Sequence, residues 1–535
     1  MTTRDTIADA RALRRVTFGA FLFLSCFYFL LSTGEPPKGD AYAPFTGAIH
    51  LIQGKGILAS KVMPGQTFLL VPIAAFTQVV VRLLNDDASR WVVLVLTADI
   101  FPAAMTAASS AVLLRVALLA GFSLPLALFT MFVFALATPA AVYAKNFFPQ
   151  PTETFFLLLT IWGLLVARRD SNADVAAAPS SGVRGRRRVP PPLVLSGLAY
   201  GALLLVKVVA IAYLPVLAAF VFWLRRDGGG FARLLRFGAP ALALALLFLP
   251  YNFAARGDAF AFGYAQGRDA LWGFASPLAT GLHGLLLSPG KGFFYYAPVL
   301  VLSIFGARAL LSRDRALALL LLGVCGGALL LHARWWAWHG DNAWGPRYLV
   351  PALPLASLLA AESLRGMRPR RDARTAAVAA LIALSCGIQV LGGAFGNDIY
   401  QTTTYDTVIP RYRESHGANG PRDDELHLHW FPEFSPLVGH AWMLSHVVRG
   451  DGGAAYLADY PWRALRPDGE WAPRIPEPPP RLDLWVLRLP EKHPSARGLI
   501  GAIGVVALAG AIAGAAITVR ALGAARVARA ASRAA

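Results

Sequence analysis

Leu203-Leu204-Leu205-Val206-Lys207-Val208-Val209 lies in the middle of an apolar stretch, residues 192–224, with arginines on both sides: Arg184 to Arg188 before it and Arg225-Arg226 after it. Arginine clusters that border apolar runs stay on the cytoplasmic side of a membrane. Two flanks on one side require an even number of crossings, and 33 residues leave room for only two short spans. The reading therefore predicts a turn near Lys207, with that lysine at or near the outer face.

The same argument extends along the chain from the clusters Arg168-Arg169, Arg233 with Arg236, Arg313 with Arg315, Arg365 to Arg374 and Arg520 to Arg533. Helices near 237–255, 293–311, 316–332, 348–363, 375–395 and 497–519 then alternate in direction. Arg11, Arg14 and Arg15 precede the run Val16 to Leu31, and Thr33-Gly34-Glu35-Pro36-Pro37 after it offers no small-residue cleavage site. The first helix is read as uncleaved, with a cytoplasmic N-terminus. Between 67 and 167 there are four apolar stretches where an odd number must span. The stretch 67–84, which follows Met63-Pro64-Gly65, is predicted to be interfacial or re-entrant.

These runs, a 56% hydrophobic composition and a mean hydropathy of +0.51 define the fold class as an all-α polytopic membrane protein of about 11–13 transmembrane helices. The net charge of +19 sits in short clusters between apolar runs, so positive-inside bias explains it and nucleic acid is not expected as a partner. Cys26, Cys325 and Cys386 all fall inside apolar runs, which disfavours a disulfide framework or a thiolate metal cluster. The division is a transmembrane module at 1–395 with a first extracytoplasmic loop at 34–66, an extracytoplasmic segment at 396–496, and a last helix with a basic cytoplasmic tail at 497–535. Segment 396–496 is rich in Pro, Trp, Tyr, His and acids and is read as a small α/β domain or ordered loop. Segment 171–191 reads as a disordered cytoplasmic linker.

Potentially reactive residues concentrate in the outer loops. Asp40, just after the first helix, has the character of a general base held above the membrane surface beside a lipid phosphate; it could equally cap the amphipathic segment Ala43 to Gln53. The run Arg334 to Tyr348 holds Trp335, Trp336, Trp338 and Trp344 around His339, Asp341, Asn342 and Arg347. That pattern suits either an interfacial aromatic belt or a glycosyl phosphate, since indoles stack on sugar faces and arginine grips phosphate with two hydrogen bonds. Lys207 and Lys291 are cations near the outer boundary, and an ionisable group at membrane depth is a functional candidate. Lys145 and Arg256 read as ordinary boundary residues that snorkel. His427, His429 and Glu433 could hold a metal if 427–429 were a strand, but the spacing favours a structural role. There is no Walker motif, no Gly-rich phosphate loop after a strand and no nucleophile elbow.

In their order, Gly39-Asp40-Ala41-Tyr42, the double span Gly197 to Pro215 around Lys207, Tyr251-Asn252 before Gly263-Tyr264, Ser288-Pro289-Gly290-Lys291-Gly292 with Tyr296-Ala297-Pro298, and Trp344-Gly345-Pro346-Arg347-Tyr348 before Pro351 and Pro354 carry a resemblance. Over residues 10–400 the chain resembles the GT-C superfamily of polytopic glycosyltransferases, in the bacterial protein O-mannosyltransferase-like branch that includes aminoarabinose transferases. The resemblance implies a GT-C-type bundle in a bacterial inner membrane. It also implies a polyprenyl-phosphate sugar donor, an extracytoplasmic acceptor (protein, glycolipid or glycan) and inverting transfer. It makes Asp40 the catalytic base, and Lys207, Arg347, Lys291, Tyr42, His339, Asp341 and Trp344 the residues for substrate and lipid phosphate. Many members carry two adjacent acids where this chain has Gly39-Asp40, so no metal ligand is assigned and a divalent metal is left open. Two rivals stand beside this reading, a transporter or lipid flippase and a catalytically inactive lipid-binding scaffold. Crowding of the ionisable residues at one face favours the enzyme over a transporter, whose sites lie near the midplane.

Overall fold

In the computed structural model the described residues are 3–36, 42–58, 63–176, 191–224, 228–261, 271–340, 343–368, 370–396, 429–430, 432, 435–450 and 482–534. Among them every regular element is helical. Helix α1 (Thr3–Leu30) is followed by the short α2 (Tyr42–Ile52), then α3 (Gly65–Leu83), α4 (Asp87–Leu119), α5 (Leu124–Leu136), the single turn α6 (Ala140–Tyr143) and α7 (Gln150–Ala176). Helices α8 (Pro191–Val206) and α9 (Leu214–Phe222) flank a 3-10 turn at Val208–Tyr213. The middle of the chain forms α10 (Gly230–Ala245), α11 (Phe248–Arg256), α12 (Leu278–Leu287), α13 (Phe293–Tyr296), α14 (Leu302–Arg313) and α15 (Arg315–Arg334). A 3-10 turn at Arg347–Ala352 leads into α16 (Leu353–Glu362), which precedes α17 (Ala373–Ala394), α18 (Pro436–Arg449), α19 (Trp485–Lys492) and α20 (Arg497–Ala534).

Among the described residues, eight segments are long and apolar enough to cross a bilayer, in α1, α3, α4, α7, α10 with α11, α15, α17 and α20. Shorter apolar helices, among them α5, α8 and Val208–Phe222, complete the bundle. Of the four stretches between 67 and 167, the one expected to be interfacial or re-entrant, 67–84, is a continuous helix long and apolar enough to cross a bilayer. Helix α3 runs unbroken for 19 residues through Pro72, about 28 Å at 1.5 Å per residue. The break falls after 124–136, where α5 is only 13 residues long. Pro139 has no amide proton to continue the helix, and Thr138 turns its hydroxyl back onto the Phe134 carbonyl at 2.6 Å.

Small residues set the helix packing, as expected where lipid offers no hydrophobic drive for association. A Cβ on Gly197 or Gly201 would lie 2.1 Å from the Phe237 oxygen or 2.5 Å from the Ala241 oxygen, so α8 and α10 run in close contact. The Ser196 hydroxyl donates to the Thr160 carbonyl at 2.8 Å and ties α8 to the antiparallel α7. Helices α1 and α20 are antiparallel, with Gly19 and Gly514 at their crossing. The chain reverses at Lys207, and the Tyr200 hydroxyl bridges the reversal to the Ala210 carbonyl at 3.1 Å. The bundle thus has two ends. One carries Lys207, the start of α7 and the finish of α15; the other carries Arg168, Arg233, Arg313 and Arg365.

Among the described residues of 396–496 the regular elements are helical: residues 429–430, α18, α19 and a 3-10 turn at Pro494–Ala496. The remainder, on which the α/β expectation rests, lies outside the described residues, as does most of the 171–191 linker. Residues 171–176 continue α7.

Candidate functional site

A charge inside an apolar run is costly, and the chain ends α8 at that charge. Lys207 takes an extended backbone conformation (φ −151°, ψ 105°) between α8 and the 3-10 turn. Gly65, at the start of α3, sits directly against this point, where a Cβ would be 2.6 Å from the Leu205 carbonyl carbon. The half-buried Lys207 side chain places Nζ 5.9 Å from the centroid of the Tyr348 ring.

Tyr348 is held by the tryptophan-rich loop. Gly345 adopts a left-handed conformation (φ 61°) with its Cα pressed on Tyr296, where any Cβ would be 2.7 Å from the ring. Arg347 and Tyr348 then open the 3-10 turn. The Arg347 guanidinium carbon is 5.0 Å from the Tyr348 centroid and 4.9 Å from that of Phe148, and its Nη2 donates to the Tyr348 hydroxyl at 3.1 Å. His332, in the last turn of α15, stacks flat on Tyr348 at 4.6 Å and 7°. Glu153 completes the group. It is 2% exposed in the first turn of α7 and lies within electrostatic range of Lys207 and Tyr213.

Two cations therefore meet at one aromatic ring beside one buried carboxylate. The arginine fork and the three ammonium protons of lysine together match the oxygens of a phosphate. Cation–π contacts are worth about 0.5–2 kcal/mol and yield readily to an anion.

The other expected residues divide. Lys291 is fully enclosed, and its Nζ donates to the Ala343 carbonyl at 2.6 Å, so it latches the Ser288–Gly292 turn to the tryptophan loop. Residues 429 and 435 cover the same turn: the Gly290 amide donates to the His429 carbonyl at 3.1 Å and the Ser435 hydroxyl to the Pro289 carbonyl at 2.9 Å. His339 is 4% exposed and stacks on His429 at 4.6 Å. Burial, then the neighbouring His339 and Lys291, holds the His429 imidazole well below its ordinary pKa and keeps it neutral.

Trp344 offers no open face to a sugar. It is 1% exposed, with Tyr296 edge-on at 5.1 Å and His440 across it at 4.7 Å. The four tryptophans do not form a uniform belt, because Trp338 is also buried whereas Trp336 is 39% exposed. His429 is helical, so the alternating strand geometry expected for 427–429 does not apply there. Asp40, Asp341, His427, Glu433 and the side chain of Tyr42 lie outside the described residues. Among the described residues no three His, Cys, Asp or Glu side chains converge as a metal site.

Two contributors were not singled out from the sequence, and a third takes another role than expected. Glu153 and His332 lie at the ends of apolar runs, and the signal was present, since each is an ionisable group at membrane depth. Lys145 is no snorkelling boundary residue: it is 4% exposed and donates to the Gly393 and Phe395 carbonyls, both at 2.9 Å, closing the end of α17.

No family model matches the sequence, and no curated protein matches it. Among solved structures, the chain is similar over 99% of its length to 79% of ArnT from Cupriavidus metallidurans bound to undecaprenyl phosphate, with 16% identity and a TM-score of 0.42. It is similar over 95% of its length to 75% of the same protein in the apo state, with 15% identity and a TM-score of 0.39.

Proposed function

We propose that this chain is a membrane glycosyltransferase that moves a sugar from a polyprenyl-phosphate carrier to a hydroxyl acceptor on the extracytoplasmic side. The observation that carries the reading is the meeting of Lys207 and Arg347 on Tyr348 at one end of the bundle. There the phosphate of a lipid would lie at bilayer-surface depth, its chain alongside the apolar helices. The acceptor oxygen attacks C1 of the sugar from the face opposite the phosphate. The C1–O bond breaks with its electron pair passing to the phosphate, whose added charge Lys207 and Arg347 stabilise as it develops. The acceptor proton passes to Asp40.

The base assignment rests on the resemblance of the first loop. Helix α2 begins two residues after Asp40 and packs Phe45 on Phe147 at 6.0 Å, and the next residue, Phe148, lies under Arg347. In this reading Lys291, His339 and Trp344 shape the loop that presents Arg347 and do not touch the donor.

The test is transfer of radiolabelled sugar from a panel of polyprenyl-phosphate sugars in membranes with equal amounts of wild type or Asp40→Asn. Transfer by the wild type that falls about 10²–10⁴-fold in the variant is the expected outcome. Equal transfer by both would remove Asp40 from the mechanism, and no transfer by the wild type from any donor would refute the enzyme.

A further inference from the structure

The segment 482–492, far from the site in sequence, is bound to the exit of the first helix by a dense set of contacts. Trp485 is fully buried; its amide donates to the Ser32 carbonyl at 2.9 Å and its indole Nε1 to the Phe29 carbonyl at 2.7 Å. Gly34 is left-handed (φ 66°) and lies so close to Trp485 that a Cβ would be 2.7 Å from the tryptophan Cβ. Its amide donates to Asp99 of α4 at 3.0 Å. Arg488 forms the centre: one guanidinium nitrogen bonds Glu35 of the first loop and the other bonds Asp483. Lys492 Nζ approaches the same Glu35 oxygen at 3.9 Å. The Asp483 amide in turn donates to the Ala394 carbonyl at 2.7 Å, at the end of α17 that Lys145 also holds. Glu35 is thus drawn into a bridge between the two far ends of the chain.

We infer that Arg488 is a positioning residue, which through Glu35 fixes the first loop five residues before Asp40. The inference rests on the reading of Asp40 as the base. A loop leaving α1 without that anchor would sample many approaches to the acceptor, and a displacement of about 1 Å at a reacting group costs up to about 10²-fold in rate. The phosphate cations are reached through other elements, α8 and the turn at Arg347, so donor binding does not depend on the bridge.

The experiment uses the full chain with Arg488→Met, Arg488→Lys and Glu35→Gln, the last breaking only the loop side of the bridge, each checked for a monodisperse elution profile. Two readouts are taken. The first is the rate of maleimide labelling of Asp40→Cys in a chain whose three native cysteines are replaced. We expect about a fivefold faster rate with Arg488→Met and Glu35→Gln and a near wild-type rate with Arg488→Lys. The second is transfer kinetics with Asp40 intact: kcat should fall about 10- to 100-fold in the first two variants, with KM for the lipid donor within about twofold of wild type. An unchanged labelling rate overturns the bridge, and so does a rise in KM equal to the fall in kcat. Faster labelling with unchanged kcat overturns the positioning role. If the wild type transfers nothing, the functional reading fails on its own while labelling still judges the bridge.

Discussion

The two ends of the bundle satisfy their cations in opposite ways. At the Arg168 end, Arg168, Arg313 and Arg365 face carboxylates, while Arg233 donates to the Val221 and Phe222 carbonyls. Arg168 holds Asp314 with two hydrogen bonds at 2.8 and 3.0 Å, and Arg313 and Arg365 converge on Glu362, whose side chain is 2% exposed, at 2.8 and 3.0 Å. The spare protons of Arg313 and Arg365 go to the carbonyls of Ala120 and Gly121. Burial opposes the charge on Asp314, but Arg168, the Leu317 amide and Arg313 outweigh it and hold the carboxyl below its usual range. At the Lys207 end, Lys207 and Arg347 lie over the rings of Tyr348 and Phe148, while Lys145 and Lys291 reach backbone carbonyls. Arg488 at this end bonds carboxylates, Glu35 and Asp483, and it serves the loop that carries Asp40. The difference separates holding from binding: a carboxylate fills the coordination of a guanidinium and locks two helices, whereas the aromatic face beside Lys207 leaves the field of that cation open to an anion that arrives later.

The sharpest way to break this contrast is to change one residue at each end. Lys207→Met and Arg347→Ala should each reduce sugar transfer about 10²- to 10³-fold at normal protein levels, the loss expected when one donor to a developing charge is removed. Arg347→Lys should recover part of it, because it keeps the charge but not the fork. Comparable transfer by all three would mean that the aromatic-seated cations bind nothing that matters to the reaction. Arg313→Ala should do the reverse, lowering stability in thermal or denaturant unfolding by about 2–4 kcal/mol because Glu362 loses one of its two partners in a buried position, while transfer per folded molecule stays unchanged.

The smallest expected effect concerns pH. His440 in α18 is fully buried between Trp344 and Phe395, with Nδ1 3.0 Å from the Leu391 carbonyl. Burial foremost, with Lys145 adding to it, pushes its pKa down from 6.5 to about 3. The unfolded or undocked segment takes up a proton below pH 6.5 and the docked one does not, so the stability of this docking is intact above that pH and is lost as pH falls. The slope is about 1.4 kcal/mol per pH unit. The protection of α18 amides, corrected for the intrinsic exchange rate, should fall progressively as pH drops below about 6.5, and His440→Gln should flatten most of that dependence. Protection that does not change with pH would show that α18 is held by other contacts alone.

How much could be read in advance differs between these regions. The hairpin at Lys207 followed from two arginine flanks and a run too long for one span and too short for three. Between 67 and 167 the prolines act differently: Pro64 precedes an unbroken α3, while Pro139 follows the end of α5. A proline at the head of an apolar helix is no obstacle to it, and Pro72 inside α3 is absorbed by the turns around it, whereas one that follows Thr138 ends the helix. Of the site, Lys207 and Arg347 were recognisable as charges out of place in apolar surroundings. Their meeting on Tyr348 was not, and neither was the burial of Lys291 and Trp344, which makes the first a latch and the second part of the core.

By itself the sequence determined what belongs to one segment at a time: which runs are apolar, which ends are basic, where the chain must reverse, and which ionisable residues would be costly in hydrocarbon. Those are transfer energies of local stretches, and they add along the chain with little regard to what lies elsewhere. Only the tertiary structure decided which charge meets which partner. Arg168 reaches Asp314 across 146 residues and Arg488 reaches Glu35 across 453. Pairings over such separations depend on how helices pack through glycines such as Gly197 and Gly514, and on the angstrom-scale distances that the packing leaves between side chains.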